Sequence, residues 1–360
     1  MTTTPLETDF TPGYTHSYWT GGAGWAAQFY FDYYQHTGDK KFLADTGYPF
    51  MKEAALFLED FLTIERNGQL VFNPSYSPEN APLGERNPPA CINATVDIAI
   101  TKQLLGNCIK AATLLKTDSY KIRQWKDMLA KLPGYQISKE GTFREWLWAG
   151  EEESNSHRHA SHLYALYNDI PAEFRSDSLR KAVAKTIALR MDFHKTKGGT
   201  MAFGMSQIGW SAAHIGSASL ASEAINWQAT NYWSDGMASF HDYRNLFNMD
   251  ISGGFPYLVS QCLVYSEPGY LKLLPALPGN WKEGSIGGLK LRGNALLQEL
   301  SWSGRSISLV LHAAERQRVT IELPGTIGTV NGKPYRNKSN GHLYETVLQG
   351  GSDIRIVFTY

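Results

Sequence analysis

The stretch SNSHRHASHLYALY, residues 154–167, sets His157, His159 and His162 within six residues, with Arg158 between the first two. Three chemistries suit such a cluster. A metal centre needs about three or four ligands converging on one point, with partners that orient them. No HExxH pair is present, although the carboxylate run GEEESNS precedes the cluster. A structural role is simpler: imidazoles that cap a helix start and bond to nearby backbone. The third is a sugar-binding edge, where the planar fork of Arg158 and the directional ring of His159 meet hydroxyl groups. A helix beginning near Arg158 would place His159 and His162 on one face.

Two isolated carboxylates accompany the cluster. Glu79, in NPSYSPENAP, follows Pro78 in a loop dense with Tyr and Asn. A carboxylic acid in an aromatic setting can hold its proton to higher pH and act as a general acid. A solvated loop Glu or a helix-cap partner is the plain alternative. Asp250, in RNLFNMDISGGF, precedes the pair Gly253 and Gly254, which permit close backbone approach. It is either aimed into a cleft or an ordinary helix N-cap. In FREWLWAGEEE, Glu145, Trp146 and Trp148 form a sugar platform with a polar handle, or else the end of a core helix. Two carboxylates on separate loops, with aromatics and an Arg-His pair between them, are the parts glycoside hydrolysis uses. One protonates the leaving oxygen; the other activates water or attacks.

Composition narrows the field. Lys plus Arg equals Asp plus Glu, 34 each, and no basic run occurs, so nothing points to nucleic acid or an anionic membrane. No apolar run reaches the length of about 18 residues that a membrane span requires. The first residues, MTTTPLETDFTPGY, have neither the charged nor the apolar region of a signal peptide. Cys91, Cys108 and Cys262 are odd in number and widely spaced, against a disulfide framework. Aromatic residues make up 12%, which suits either a sugar cleft or a large aromatic core.

The elements that must position these residues are mainly helical up to residue 270. WAAQFYFDYYQHTGDKKFL and FMKEAALFLEDFLTI carry helical spacing, followed by the long Pro/Asn/Ser-rich loop NGQLVFNPSYSPENAPLGERNPPACIN. In 95–115, Val96, Ile100, Leu104, Cys108 and Ala112 step by four along one face. Further helices are predicted near 119–131, 159–168, 174–197, 207–222 and 255–266. Beyond the Pro-rich junction near 266–282 the pattern turns to period two with Gly turns, and TVNGKPY carries an Asn-Gly hairpin signal. The expected architecture is mainly α: a toroid of α/α hairpins over 1–270, then a small antiparallel β-sandwich over 271–360. About nine helices can be counted, short of the twelve that six hairpins require.

With these residues in view, the chain resembles glycoside hydrolase family 95, the inverting α-L-fucosidase family with α-L-galactosidase relatives. WTGGAGWAAQFYFDYYQHTGDKKFL is similar to the family's Trp-x-Gly-Gly-Ala-Trp helix and Thr-Gly-Asp turn. SYSPEN is similar to its acid loop, and ATVDIAITKQLLGNCIKAA, with Asp97 at its start, to the helix that follows. SHRHASHLYALY, GWSAAHIGSASLA and LLPALPGNW match in the same order along the chain. The resemblance implies an (α/α)6 barrel followed by a β-domain, with no cofactor and no metal. It places the general acid on Glu79, the base side on Asp250, and contacts to fucose hydroxyls on Arg158 and His159. The implied substrate is a fucosylated oligosaccharide or a plant or host glycan, most simply one with α-1,2-linked fucose, and the implied location of the intact enzyme is secreted or periplasmic.

Two departures stand out. The base loop reads DISGGFP where the family has Asp-Gly-Asn-Phe-Gly. The two Asn residues that hold the attacking water in the family lie upstream of the WTGGA helix, and none of the eighteen residues before Trp19 matches them. The expectation is therefore the C-terminal part of a larger enzyme, with the first barrel helices missing and apolar helix faces exposed, inactive by itself. Inversion would set the two carboxyl groups roughly 6.5–9.5 Å apart. The rival readings are a non-catalytic carbohydrate-binding protein that kept the cleft, and another (α/α)6 enzyme such as a lyase or phosphorylase.

Overall fold

The computed structural model describes residues 19–84, 90–197, 201–243, 245–336 and 340–360. The residues before Trp19, expected to lack the Asn pair, lie outside them, as do the centre of the long loop at 85–89 and Arg244 at the head of the Asp250 stretch.

The described helices are α1 (Gly22–Thr37), α2 (Lys40–Phe42), α3 (Tyr48–Phe61), α4 (Thr95–Leu115), α5 (Ser119–Lys131), α6 (Asp177–Thr196), α7 (Ala202–His214), α8 (Ala218–Asn231) and α9 (Asp250–Leu263). The Thr-Gly-Asp turn stops α1 in a defined way. Gly38 takes φ +68° and returns its N–H to Tyr34 O at 2.8 Å, and Asp39 then accepts from Phe42 N at 2.9 Å to start α2. The first turns of α4 are buried on every side, from Thr95 to Thr101, so this helix runs inside the others. One apolar cluster joins α1, α3, α4 and α5; a second gathers the start of α4 with α6, α7, α8 and α9.

Three predicted helices are placed differently. The single helix expected at 207–222 is two, α7 and α8, because Gly216 at φ +75° ends the first and Ser217 N closes on Ala212 O at 2.9 Å. The helix expected at 255–266 begins five residues earlier and contains the glycine pair and Pro256. Gly254 is a packing glycine: a Cβ there would lie 2.9 Å from Ser206 Oγ and 3.0 Å from the Trp210 ring. The helix expected at 159–168 is a short 3₁₀ segment, Ser161–Leu166, and Arg158 stands before it in irregular backbone.

Two short hairpins, β1 (Glu65–Arg66) with β2 (Gln69–Leu70) and β3 (Phe240–Asp242) with β4 (Asn245–Phe247), interrupt the helical region. The β-region starts at β5 (Val264–Glu267), before the boundary expected between 270 and 271, and continues with β6 (Tyr270–Leu273), β7 (Glu283–Ile286), β8 (Leu289–Leu291), β9 (Ala295–Ser303), β10 (Ser306–Ala313), β11 (Gln317–Glu322), β12 (Thr329–Val330), β13 (Lys333–Pro334), β14 (Leu343–Leu348) and β15 (Ser352–Thr359). One sheet runs β13-β12-β15-β10-β9-β7 with β8 also on β9; the other runs β14-β11-β6-β5. Their alternating apolar residues share one core. Asn331-Gly332 makes the β12–β13 hairpin, both residues with positive φ, as the sequence signal requires. The expectation of an antiparallel region fails where β11 and β6 pair in parallel, and again at the isolated parallel bridge between Ala313 and Gly350. Arg292, beside β8, locks the two regions together by pairing with Asp32 of α1 and Asp169, at 2.8 and 2.9 Å.

Candidate active site

The loop carrying Glu79 is fixed from below. Ser75 and Cys91 exchange backbone hydrogen bonds at 2.8 Å, closing its two arms. Asp97, in the first turn of α4 and fully buried, accepts from Trp19 Nε1 at 2.8 Å, Ser75 Oγ at 2.6 Å and Tyr76 N at 3.2 Å. Burial pushes the Asp97 carboxyl up to about 6 against the pull of those three donors. On either side of Pro78–Glu79, Ser77 Oγ and Asn80 Nδ2 donate to the two oxygens of Glu145 at 2.7 and 2.9 Å. Pro78 O accepts from Ser161 Oγ. Ser77 and Asn80 are buried, while the Glu79 side chain keeps 32% of its surface and its Oε2 accepts from Arg158.

The Glu145 carboxylate is the anchor of this arrangement. It is 1% exposed, and Arg190 of α6 donates to its Oε2 at 2.5 Å, with His162 Nδ1 at 3.5 Å from the same oxygen. Burial alone would raise the Glu145 carboxyl, but His162 when protonated, Arg190 and the Ser77 hydroxyl outweigh it and hold it below the usual range. His162 is itself pushed down to about 4 by burial, so it is uncharged near neutrality and Arg190 carries the compensation there. Glu153 accepts from Glu145 N at 2.9 Å, and burial lifts its carboxyl to about 7.

These contacts correct two expectations. Glu145 and Trp146 do not form a sugar platform, because Trp146 is 0% exposed and Glu145 points inward. Nor does the segment end a helix. It runs extended beside the start of α4, where Trp146 bridges Ala94 and Thr95 N donates to Glu145 O at 2.9 Å.

The histidines diverge. His157 Nδ1 accepts from His159 N at 3.0 Å, His159 Nε2 lies 3.1 Å from Met201 Sδ, and His162 faces Glu145. Among the described residues no three His, Cys, Asp or Glu side chains converge on a point as metal ligands. His159 Nδ1 is 3.9 Å from Glu79 Oε2, and burial with the neighbouring His157 and Arg158 depresses the imidazole to about 2, leaving it neutral. The backbone beneath Arg158 is held tightly. Its carbonyl accepts from His194 Nε2 at 2.9 Å and lies against Gly204, where a Cβ would come within 1.8 Å of that oxygen. Glu79, Arg158 and His159 are thus brought together.

Asp250 has another setting. It is the first residue of α9 and exposed, and Asn248 Oδ1 accepts from its N–H at 2.6 Å, so Asn248 does the capping expected of the Asp. What connects α9 to the Glu79 side is aromatic. Trp210 Nε1 donates to Gly254 O at 2.9 Å, its ring stands edge-on to Phe203 at 6.2 Å, and Phe203 stands edge-on to His159 at 6.1 Å. Phe203 and Trp210 are both partly exposed. The residues that sequence reasoning missed are Ser77, Asn80, Arg190, His194, Phe203 and Gly204. One signal was available: Arg190 and His194 fall on the stripe of α6 that otherwise holds Val183, Ile187 and Met191.

Residues 2–263 match the glycosyl hydrolase family 95 catalytic domain, and residues 265–352 match the glycoside hydrolase family 95, C-terminal domain. Alpha-L-fucosidase 2 of Arabidopsis thaliana is 32% identical over 79% of this chain and 34% of its own length. Probable alpha-fucosidase A of Aspergillus niger is 24% identical over 79% of this chain and 37% of its own. The solved structure of a Streptomyces avermitilis alpha-L-rhamnosidase complexed with L-rhamnose covers 93% of this chain and 32% of that one, at 15% identity and a TM-score of 0.49. The chain therefore spans about a third of the length of the curated relatives it matches. Two adjoining domain matches over nearly all of its residues, and a relative at this level of identity, make the chain a member of glycoside hydrolase family 95.

Proposed function

We propose that this chain supplies the general acid and the sugar-contacting wall of an exo-acting, inverting α-L-fucosidase, working on α-1,2-linked fucose. The observation that carries the reading is the placement of Glu79. It sits beside Arg158 and His159 at an accessible position, while Ser77 and Asn80 on its two flanks are tied to the buried Glu145. Glu79 protonates the glycosidic oxygen. Arg158 and His159 donate to or accept from the fucose hydroxyls, and Phe203 and Trp210 offer partly exposed ring surface to its apolar face. Asp250 takes the base role through a water on the opposite face of the sugar. Glu145 and Asp97 are positioning residues that hold the loop. The helical region is read as part of an (α/α)6 toroid.

The test is release of fucose from 2′-fucosyllactose, followed by proton NMR of the first-formed anomer. Inversion yields the β-anomer. Glu79→Gln should lower turnover by about 10²–10⁴-fold with an unchanged melting temperature. Retained turnover rejects Glu79 as the acid, and an α-anomer rejects inversion. Saturable binding of 2′-fucosyllactose without release would favour the carbohydrate-binding reading.

A further inference from the structure

A concave site lies at the seam between the helices and the β-region, away from Glu79. It has a volume of about 910 Å³ and is walled by α1, the middle of α4, residues 164–173, and the turns at Gly293–Asn294 and Glu315–Gln317. Ten residues of α4 separate Asp97, under the Glu79 loop, from Asn107 in this groove, which is about 15 Å along the axis. No residue of the Glu79 loop lines it.

Two features mark its floor. Asn107 is 92% buried (8% exposed), and among the described residues its side chain has no hydrogen-bond partner although it lines the groove. Its amide atoms are not among the enclosed unpaired polar atoms, so they keep solvent contact and are open to a ligand in the groove. Beside it, Gly106 sits mid-helix, where glycine is about 1 kcal/mol worse than alanine. A Cβ at Gly106 would meet no atom within 4 Å, so no neighbour requires the glycine. Together they leave the floor of the groove open and present an accessible amide to whatever occupies it.

The walls are already set. Lys102 lies 4.1 Å over the Tyr135 ring and pairs with Glu173 at 3.3 Å. Gln103 accepts from Tyr164 at 2.5 Å and donates to Asp169 at 2.9 Å, and Gly293 N bonds to Gln35 O at 2.8 Å. The lining is polar without a net sign, with four cationic and four anionic side chains. An anion would meet carboxylates and a cation would meet lysines. A neutral, hydroxyl-rich ligand can use both, together with the amides and the half-buried ring of Tyr34. The volume falls in the range of about 300–1,000 Å³ that small-ligand sites occupy.

We propose that this groove is an accessory binding site for a neutral oligosaccharide, distinct from the site at Glu79. The assignment does not depend on the reaction at Glu79, and a probe without fucose keeps the two apart. Titration calorimetry of the 360-residue chain with lacto-N-tetraose should give saturable binding. Gly106→Gln fills the groove while favouring the helix, and Asn107→Leu removes the amide. Each should weaken binding about tenfold or more with unchanged circular dichroism. Arg158→Ala, at the other site, should leave it unchanged. The proposal is overturned by no binding at about 10 mM probe, by affinity that neither variant alters, or by loss in Arg158→Ala alone. Tighter binding of tetragalacturonate would overturn the neutral class.

Discussion

Glu79 and Asp250 are the two carboxylates the sequence offers for one reaction, and the fold treats them in opposite ways. Glu79 rides on a loop whose neighbours are buried and bound to a second carboxylate, Glu145, which is bound in turn to Arg190. Asp250 sits exposed at a helix start, beside Met249, Phe247 and Leu246, each more than 60% exposed. A carboxyl group held this way has a geometry set by the protein before any ligand arrives, which is what a positioned proton donor requires. The Asp250 segment draws far less on burial, and its position depends mainly on the packing of α9 against Trp210 and Ser206. Changes beneath Glu79 should therefore reach stability and activity together. Changes at Asp250 should reach activity alone.

The largest effect is expected at Arg190. Arg190→Met leaves Glu145 buried without its cation, and breaking a buried pair in this way costs about 3–5 kcal/mol. Urea denaturation should show that loss, with the Glu79-dependent turnover falling in parallel. Loss of stability with full turnover would separate the Glu145 network from the acid loop and break the comparison.

Acid sensitivity comes next. His157, His162 and His194 are held at about 4, by burial first and by nearby cations such as Arg190 second. In the unfolded chain these rings bind protons near pH 6.5, so between about 6.5 and 4 the unfolded state holds more protons. Their stabilising contribution is complete above pH 6.5 and is lost as pH falls toward 4. Asp97 and Glu153, raised by burial to about 6 and 7, act oppositely: their contribution is present at low pH and lost as pH rises through those values. The histidines outnumber them, so the melting temperature should fall from pH 7 to 4.5. His162→Leu should flatten that acid limb by up to about 3 kcal/mol, the equivalent of a shift of roughly 2.5 pH units. An unchanged limb would mean His162 is not the proton acceptor.

A smaller effect is expected where the histidine segment crosses α7. Gly204→Ala drives a methyl group into the Arg158 carbonyl, which can yield only by moving the backbone that aims Arg158 and His159. The expected destabilisation is about 1–3 kcal/mol, with KM for a fucosyl substrate rising more than kcat falls. A change in kcat alone would place Arg158 in the chemical step rather than in binding.

Much of this was legible in the sequence, for reasons that can be named. Helices α4 and α5 fall on their predicted spans because their apolar spacing and turn residues agree. The Asn-Gly hairpin follows from backbone sterics alone. Arg158 and His159 were grouped with Glu79 on residue type, and the resemblance gave them roles, since nothing in either local stretch specifies the contact. Trp146 misled because a Trp beside a Glu has the same local appearance in a core and in a sugar cleft; only tertiary packing separates them. The close approach expected of the glycine pair is found at Gly254, which admits Trp210 and Ser206, but the pair lies inside α9 and not ahead of it. Arg190 was passed over because a cation on a long helix is usually solvated, and its partner lies 45 residues away.

Asp250 gives the smallest expected effect on stability and the sharpest one on the comparison. Its side chain is exposed, and the cap of α9 comes from Asn248, so Asp250→Asn removes no buried partner. The loss of a negative charge in the first turn of α9 is worth about 0.3–1 kcal/mol through the helix dipole. The melting temperature should therefore move little, while fucose release falls by orders of magnitude if Asp250 is the base. Asn248→Ala reverses the pattern. It removes the cap, costing about 0.5–2 kcal/mol, and leaves the carboxylate in place. If Asp250→Asn instead destabilises as much as Asn248→Ala and turnover tracks the folded fraction in both, Asp250 is a structural residue and the base must be sought elsewhere.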